Sequence, residues 1–159
     1  MSNVRLEDNI LEVIGILKEE AVAFLYEAGG ELQAQVQRNT RVSEGQLKGS
    51  WQLVVDEEKL TATIGSPLEN AIWEEFGTGE YAVNGDGRKG GWWVKVGSGS
   101  NEIPPHVANK YAWEKVRKDK DGNLTFVYTQ GKKPSQALTK AFTKTKPKIQ
   151  RRLQQIMGG

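Results

Sequence analysis

The first forty residues place apolar side chains at the period of an α-helix. One stripe recurs every three or four residues and contains Leu6, Ile10, Ile14, Leu17, Ala21, Leu25, Ala28, Leu32 and Val36. This spacing is that of one helix face. The pair Gly29-Gly30 interrupts the stripe, and each glycine costs about 1 kcal/mol relative to alanine in a helix. Because the stripe keeps its phase across the pair, the pattern predicts one long helix, with a bend as an allowed variant.

The pattern changes to period two after a polar stretch at residues 38–49. Two β-rich runs, 51–55 and 60–64, are separated by a charged turn, and this arrangement predicts a β-hairpin. Residues 71–76 form a further short ordered segment, which fits either a strand or a helical turn. When it is taken as a strand, its neighbouring side chains point to opposite faces.

Residues 77–101 contain eight of the 18 glycines, interleaved with aromatic and basic residues. Within this segment the run 92–96 is a candidate strand. Trp92 and Trp93 are adjacent, so on a strand they face opposite ways and both can be buried only if material covers both faces. We expect residues 78–108 to form a flexible region that becomes ordered when a neighbouring molecule covers it.

The last third of the chain predicts a strand at 124–128 and then a C-terminal helix that begins at Ser135. Pro147 is poorly placed inside a helix, so a second helical segment is expected to restart there. The order of elements predicts an α+β fold: a long N-terminal helix and a C-terminal helix packed on a small antiparallel β-sheet, with a long Gly-rich central loop. A chain of 159 residues suits a single domain, residues 1–159.

Charge is distributed unevenly along the chain. Residues 122–159 contain eight Lys or Arg and no acidic residue, whereas residues 1–121 carry 14 basic and 20 acidic residues. A basic end of this kind fits an acidic partner, nucleic acid or protein, and it equally fits a solvated helix. The candidate contacts for nucleic acid or an acidic partner are Lys140, Lys144, Lys148, Arg151 and Arg152.

The sequence offers little for catalysis or metal binding. There is no cysteine and one histidine, His106, which lies in a proline-containing loop. Glu74 and Glu75 are adjacent and do not form the facing carboxylate pair of a glycosidase. Residues 119–123 resemble the start of a calcium loop but lack its glycine and glutamate, so a hairpin turn is expected. The Gly-rich run 85–91 lacks the Gly-Lys-Ser/Thr ending of a phosphate loop.

We therefore expect no catalytic residue, no cofactor and no metal site. The chain also shows no apolar run of the roughly 18 residues that a membrane helix needs, and its first residues do not have the form of a signal peptide. These features predict a protein made in the cytoplasm, without a membrane partner.

Three stretches, in this order, resemble the small tail-component family of tailed bacteriophages, which includes head–tail joining and tail completion proteins. The first is residues 38–51, where a helix is followed by Gly45, Leu47 and Ser50 at the family's positions. The second, 71–79, resembles the family's motif ending in Glu-Phe-Gly-Thr-Gly. The third is 129–142. The chain departs from the family pattern at Arg41, Glu44 and Ala137, and the resemblance extends over residues 5–157.

The resemblance implies a structural virion protein that joins or completes the head-proximal end of a phage tail and is not an enzyme. Its implied partners are further copies of itself, in a ring for which six-fold order is one option, and neighbouring tail-tube or neck proteins. Packaged DNA is a non-specific partner at most. The implied location is the bacterial host cytoplasm during assembly and then the virion.

The same resemblance directs attention to a candidate assembly interface. It consists of Glu75, Phe76, Gly77, Thr78 and Gly79 from the second motif, together with Trp92 and Trp93. Tryptophan is enriched at the energetic centres of interfaces. An alternative assignment is that residues 75–79 only shape a loop, since glycines bracketing Thr78 permit a sharp turn.

Two other functions compete with this interpretation. A DNA-contacting module would use the basic C-terminal helix and would show salt-dependent binding. A carboxylate-dependent hydrolase would require Glu74 and Glu75 to line a deep pocket.

Overall fold

A computed structural model describes the backbone of residues 3–41 and 45–158, and side chains from residue 13 onward within those ranges. Ten helices and strands occur in the described residues: α1 (Asn3–Asn39), α2 (Gly45–Ser50), β1 (Gln52–Asp56), β2 (Thr61–Gly65), α3 (Asn70–Phe76), β3 (Trp92–Lys95), α4 (Pro105–Ala108), β4 (Lys115–Lys118), β5 (Leu124–Thr129) and α5 (Ala137–Gly158). The predicted α+β class is confirmed. The chain divides into two compact units, the first from ranges 1–71 and 136–159 and the second from 72–135.

Helix α1 is continuous through Gly29-Gly30, as the phase of its apolar stripe predicts. The two glycines have different environments. A Cβ on Gly29 would overlap the terminal carbons of Leu53, whereas a Cβ on Gly30 would meet open space. Gly29 is therefore needed because the hairpin strand β1 approaches the helix closely at this point.

The first unit contains the predicted hairpin and a buried core. Strands β1 and β2 pair antiparallel, with Leu53 opposite Ile64. The core combines side chains from α1, α2, the residue before β1, the start of α3, and α5: Val36, Leu47, Trp51, Ala71, Ala137 and Ala141. The buried indole of Trp51 donates to the Thr40 hydroxyl at 2.9 Å, and that hydroxyl donates to the Val36 carbonyl at 2.8 Å. The ring's polar atom is thus satisfied inside the core.

Helix α5 runs antiparallel to α1. Near one end the Asn39 amide donates to the Ala137 carbonyl at 3.1 Å. Further along, Lys148 pairs with Glu31 at 3.1 Å and Arg152 with Glu27 at 3.1 Å. The two helices therefore form the frame of the first unit.

The predicted helix restart at Pro147 is wrong. Helix α5 begins at Ala137, two residues after the predicted start, and is continuous to Gly158 with Pro147 inside it. Ala141 and Thr145, six and two residues before the proline, are buried, whereas the proline itself is exposed. Packing of the buried face against the rest of the unit holds the helix together despite the hydrogen bond that proline removes.

The second unit is built on a three-stranded antiparallel sheet in the order β3-β5-β4. The single small sheet expected from the sequence is thus two separate sheets, one in each unit. Strand β4 has no counterpart in the sequence prediction, because its Lys-Val-Arg-Lys run is exposed throughout and carries only one apolar residue. Fully buried Val127 in β5 marks the apolar face of this sheet.

Residues 71–76 belong to helix α3, so the strand alternative is wrong and the neighbouring glutamates lie on a helix. The glycine-rich region 78–108 is more structured than a long loop. It contains a 3-10 turn at Gly79–Tyr81, strand β3 and helix α4. Among the described residues no helix has the length and apolar character required to span a bilayer.

Candidate assembly interface

The Glu-Phe-Gly-Thr-Gly motif forms the end of α3 and the turn that follows it. The Gly77 N–H donates to the Trp73 carbonyl at 2.9 Å, which closes the last helical turn. Gly77 and Gly79 have φ values of +70° and +61°, in the left-handed region that favours glycine. A Cβ on Gly79 would lie against the Gln130 carbonyl and the Trp92 ring. Both glycines are therefore required by backbone geometry.

The turn is fixed to the chain that leaves strand β5. The Thr78 N–H donates to the Lys132 carbonyl at 2.9 Å, and the Glu80 N–H donates to the Gln130 carbonyl at 2.8 Å. In return, the Lys132 N–H donates to the Thr78 hydroxyl at 2.8 Å. Thr78 is thus held through its backbone and its side chain, which supports a loop-shaping role for this part of the motif.

Glu74 anchors the same region from the helix side. Its side chain is buried, with the residue 2% exposed, and its carboxylate pairs with the Lys132 ammonium. Its carbonyl accepts the Ser135 N–H at 2.7 Å. Glu75 is buried as well. The carboxylate of Glu74 therefore has a structural use in holding α3 to residues 132–135.

Of the motif residues, Phe76 is the one that faces solvent, with 46% of its surface exposed. Ile72 and Trp73 are also exposed and lie on the same side of α3, one turn before Phe76. Neither residue is among the interface residues that the sequence predicts. Their spacing would have revealed the shared face once residues 71–76 were assigned to a helix.

Trp92 and Trp93 point to opposite faces of the second sheet, as their adjacency on a strand predicts. Trp92 packs near Gly79, and the Arg88 guanidinium lies 4.8 Å from its ring centroid. Trp93 is 38% exposed and makes an edge contact with the Tyr128 ring, with centroids 5.5 Å apart. Trp93 is therefore the member of the pair that is available to a partner.

Trp93 belongs to a surface of mixed aromatic and basic character. The pairing register places six side chains on one sheet face: Trp93, Lys95, Lys115, Arg117, Phe126 and Tyr128. We call this surface the aromatic–basic face. The Arg117 guanidinium lies 4.6 Å from the Trp93 centroid, and the Lys115 ammonium 4.9 Å from the Tyr128 centroid. These distances are typical of cation–π contacts.

Lys95, at the edge of this face, forms an ion pair with Glu102 at 2.7 Å. The hydrogen bond from Lys95, followed by that from the Gly99 N–H, lowers the pKa of the Glu102 carboxyl below its usual value. Glu102 therefore stays ionised and fixes the loop after β3.

The candidate basic residues Lys140, Lys144, Lys148, Arg151 and Arg152 all lie on α5 and are exposed. Two of them already contact carboxylates of α1, since Lys148 pairs with Glu31 and Arg152 with Glu27. The predicted interface residues and the basic residues therefore belong to different units of the chain.

The calcium-loop look-alike is a hairpin turn between β4 and β5. One carboxylate oxygen of Asp119 accepts the N–H groups of Asp121 and Asn123, each at 2.9 Å. These bonds, led by that from Asn123, lower the pKa of the Asp119 carboxyl. Within the described ranges, no cluster of His, Cys, Asp or Glu has the arrangement of a metal site.

Residues 5–77 match a family model described as "Bacteriophage HK97-gp10, putative tail-component". Over these residues the match confirms the predicted resemblance to a phage tail-component family. No curated protein and no solved structure matches the chain. The match covers somewhat less than half of the chain and includes the first motif stretch and the second as far as Gly77.

A phage tail component is a structural part of the virion and contacts other tail proteins, so the match supports a virion location and protein partners for this chain. The matched motif positions have structural uses. Leu47 is 1% exposed in the core of the first unit. The Ser50 hydroxyl donates to the Leu47 carbonyl at 2.7 Å and lies 2.6 Å from the Ser66 hydroxyl. These positions hold the fold of the first unit.

Proposed function

We propose that this tail-component chain joins or completes the head-proximal end of a phage tail, and that it acts through protein contacts within a closed ring of identical subunits. The observation that carries the proposal is the match of residues 5–77 to the tail-component family. It is supported by the second motif, whose Gly77 and Gly79 have the positive φ angles that the motif requires.

A closed ring requires two different surfaces on every subunit, because each copy must contact a neighbour on either side. Exposed candidates are present in the second unit. Phe76, Ile72 and Trp73 form one exposed apolar face on α3. Trp93 is the exposed tryptophan of the second surface, the aromatic–basic face. Aromatic side chains of this kind commonly supply the energetic centre of an interface. Under this proposal the buried members, Glu75 and Gly79, shape the surface without touching the neighbour.

The subunit is proposed to be made in the bacterial host cytoplasm and then incorporated at the tail or neck of the virion. The decisive test is electron microscopy of particles from a lysogen in which the gene for this chain has been deleted. We expect filled heads lying apart from tails, or tails with undefined upper ends, and we expect the wild-type gene supplied in trans to restore joined particles. Normal, joined and infectious particles from the deletion strain would rule the proposal out.

A DNA contact through α5 is a second candidate, because this helix carries six basic residues and no acidic one. The test is binding to duplex DNA at low and moderate salt. A DNA-binding helix predicts affinity that falls steeply with salt and is weakened in the charge-reversal variant K144E/R151E. The matched control is K89E/K110E, which reverses two exposed charges outside α5. Equal, weak binding by all three proteins would exclude the DNA contact.

A further inference from the structure

Helix α1 extends well beyond its partner α5. Helix α1 has 37 residues and α5 has 22. The end of α1 at Asn39 lies level with the start of α5 at Ala137. Because the helices run antiparallel, α5 ends beside Leu17, where Leu17 and Met157 line the same groove. About 15 residues of α1, roughly 20 Å of helix, continue past this point. We call residues 3–17 the overhang.

The described part of the overhang is apolar on one side although it is exposed. Val13, Ile14 and Leu17 lie on one face of the helix, and each has more than half of its surface exposed. The overhang is also acidic, since residues 3–17 contain three acidic residues and one basic residue. The exposed carboxylate of Glu20, three residues beyond the overhang, lies on the same side of α1 as Val13 and Leu17. An exposed helix face of this kind fits a protein partner better than solvent.

The aromatic–basic face has the complementary properties. Its exposed members combine the Trp93 ring with the cations Lys115 and Arg117, whereas the overhang combines apolar side chains with carboxylates. The sizes also agree. Adjacent strands lie about 4.8 Å apart, so the outer strands of a three-stranded sheet are about 10 Å apart. That distance accommodates one helix, which is about 10–12 Å in diameter.

We infer that the partner of the aromatic–basic face is a second copy of this chain, which lays the overhang of its α1 across the sheet. Val13 and Leu17 contact the rings of Trp93 and Tyr128. Glu20 pairs with the cations of β4. The two surfaces are different parts of the chain, so every copy offers one overhang and one face, and the contact is head-to-tail. This inference rests on the proposed ring. It keeps the face that contains Trp93 as one side of the ring contact and makes the overhang, in place of the exposed face of α3, the other side.

The first test measures the mass of the purified full chain by analytical ultracentrifugation across a range of concentrations. We expect wild-type chain to form oligomers that dissociate as ionic strength rises, because screening weakens the charge pairing. The overhang variant V13E/L17E and the face variant K115E/R117E are each expected to sediment as monomers. The control V54E changes a similarly exposed apolar residue on the hairpin and should assemble as wild type does.

Mixing the two monomeric variants provides a sharper test. The overhang variant retains an intact face and the face variant retains an intact overhang, so an equimolar mixture should form a one-to-one dimer that does not grow further. A variant carrying both charge reversals, E20K with R117E, should recover part of the assembly that either single change removes. Circular dichroism checks that each variant is folded as wild type is.

Several outcomes would overturn the inference. They are a wild-type chain that stays monomeric at all concentrations, a variant of either surface that assembles normally, and a mixture that remains monomeric. If the wild-type chain stays monomeric and binds single-stranded DNA through Lys115 and Arg117, the occupant of the aromatic–basic face is nucleic acid and not a second copy. Failure here leaves the proposed function standing if deletion still separates heads from tails. Joined particles after deletion would refute the function even if the isolated chain assembles.

Discussion

At the scale of single residues, the glycines of the second motif are the most constrained positions. In Gly79→Ala the left-handed backbone costs about 1–2 kcal/mol. The new methyl group would also press on the Gln130 carbonyl, and overpacking typically costs a further 1–3 kcal/mol or so. The control is Gly85→Ala, which has a φ of +72° and open space around it, so it should lose only the backbone part. Urea denaturation measures the loss of unfolding free energy in both variants. Equal losses would show that the contact with Gln130 does not matter.

Asp119 gives a prediction on pH. Hydrogen bonds to its carboxylate lower its pKa in the folded chain. Its stabilising effect is therefore present above the unfolded pKa of about 3.9 and is lost as the pH falls through the folded value. We expect Asp119→Ala to have a lower melting temperature than wild type at pH 7, and the difference to shrink below about pH 4. Asp121→Ala removes the same charge from the same turn and should show a smaller difference. A difference that does not change with pH would contradict the role of the carboxylate.

Residue chemistry was predictable to the extent that local rules determine it. The Asp119 turn and the opposite directions of Trp92 and Trp93 followed from turn chemistry and strand geometry. The burial of Glu74 and Glu75 could not be foreseen, because it depends on the return of the chain at Lys132, far away in sequence. The assignment of residues 75–79 to a partner surface remains a prediction, now centred on exposed Phe76.

At the scale of elements, the two adjacent glycines of α1 allow the effect of helix propensity on stability to be compared with the effect of packing. Gly30→Ala should stabilise the chain by about 0.5–1 kcal/mol, because its Cβ would enter open space. Gly29→Ala should gain nothing or lose stability, since Leu53 would have to move away. Thermal denaturation of the two variants provides the comparison. A larger gain from Gly29→Ala would contradict the close approach of the hairpin.

Pro147 offers a second test at this scale. Proline inside a helix costs about 3 kcal/mol or more, and α5 is continuous through it. We expect Pro147→Ala to stabilise the chain by about 1–3 kcal/mol in chemical denaturation, with no change in assembly. A loss of stability would show instead that the proline is needed for the path of α5 along α1.

The long periodic elements were the most predictable ones. The nine-residue stripe of α1 extends over many turns, so the helix signal accumulates, and the period-two runs of the first hairpin were equally clear. The types of the short elements could not be predicted, because these elements are too short to show a period. Helix α3 has seven residues and β4 has four, too few to distinguish periods. The error at Pro147 has another cause, because tertiary packing overrode a local preference.

At the scale of the whole molecule, hydrogen exchange tests the expected flexibility of residues 78–108. In the free subunit the amides of Trp92–Lys95 should exchange slowly, because they lie in a strand paired with β5. The amides of residues 84–90 should exchange quickly in the free subunit. Exchange across residues 78–108 should become slower when subunits assemble. If residues 78–108 exchange equally slowly in the free and the assembled protein, the segment is not flexible. If they exchange equally fast in both, no neighbour covers the segment.

The division into two units could not be read from composition, because no linker-like segment marks the boundaries at residues 71–72 and 135–136. Whether the units behave as one cooperative domain remains a prediction that calorimetry can test. The second unit is one unbroken segment, while the first unit is formed from two segments on either side of it.

The antiparallel pair α1–α5 also has a consequence for how the chain is synthesised. Contacts such as Glu27–Arg152 join residues 125 positions apart, and such non-local contacts form slowly. On the ribosome, at about 5–20 residues per second, α1 emerges first, and the part of its apolar stripe that packs against α5 stays uncovered until α5 is made. The second unit, being contiguous, can fold in the meantime. A nascent chain that stops before α5 would therefore expose that stripe to proteases and chaperones, so incomplete subunits would be removed before they could enter a particle.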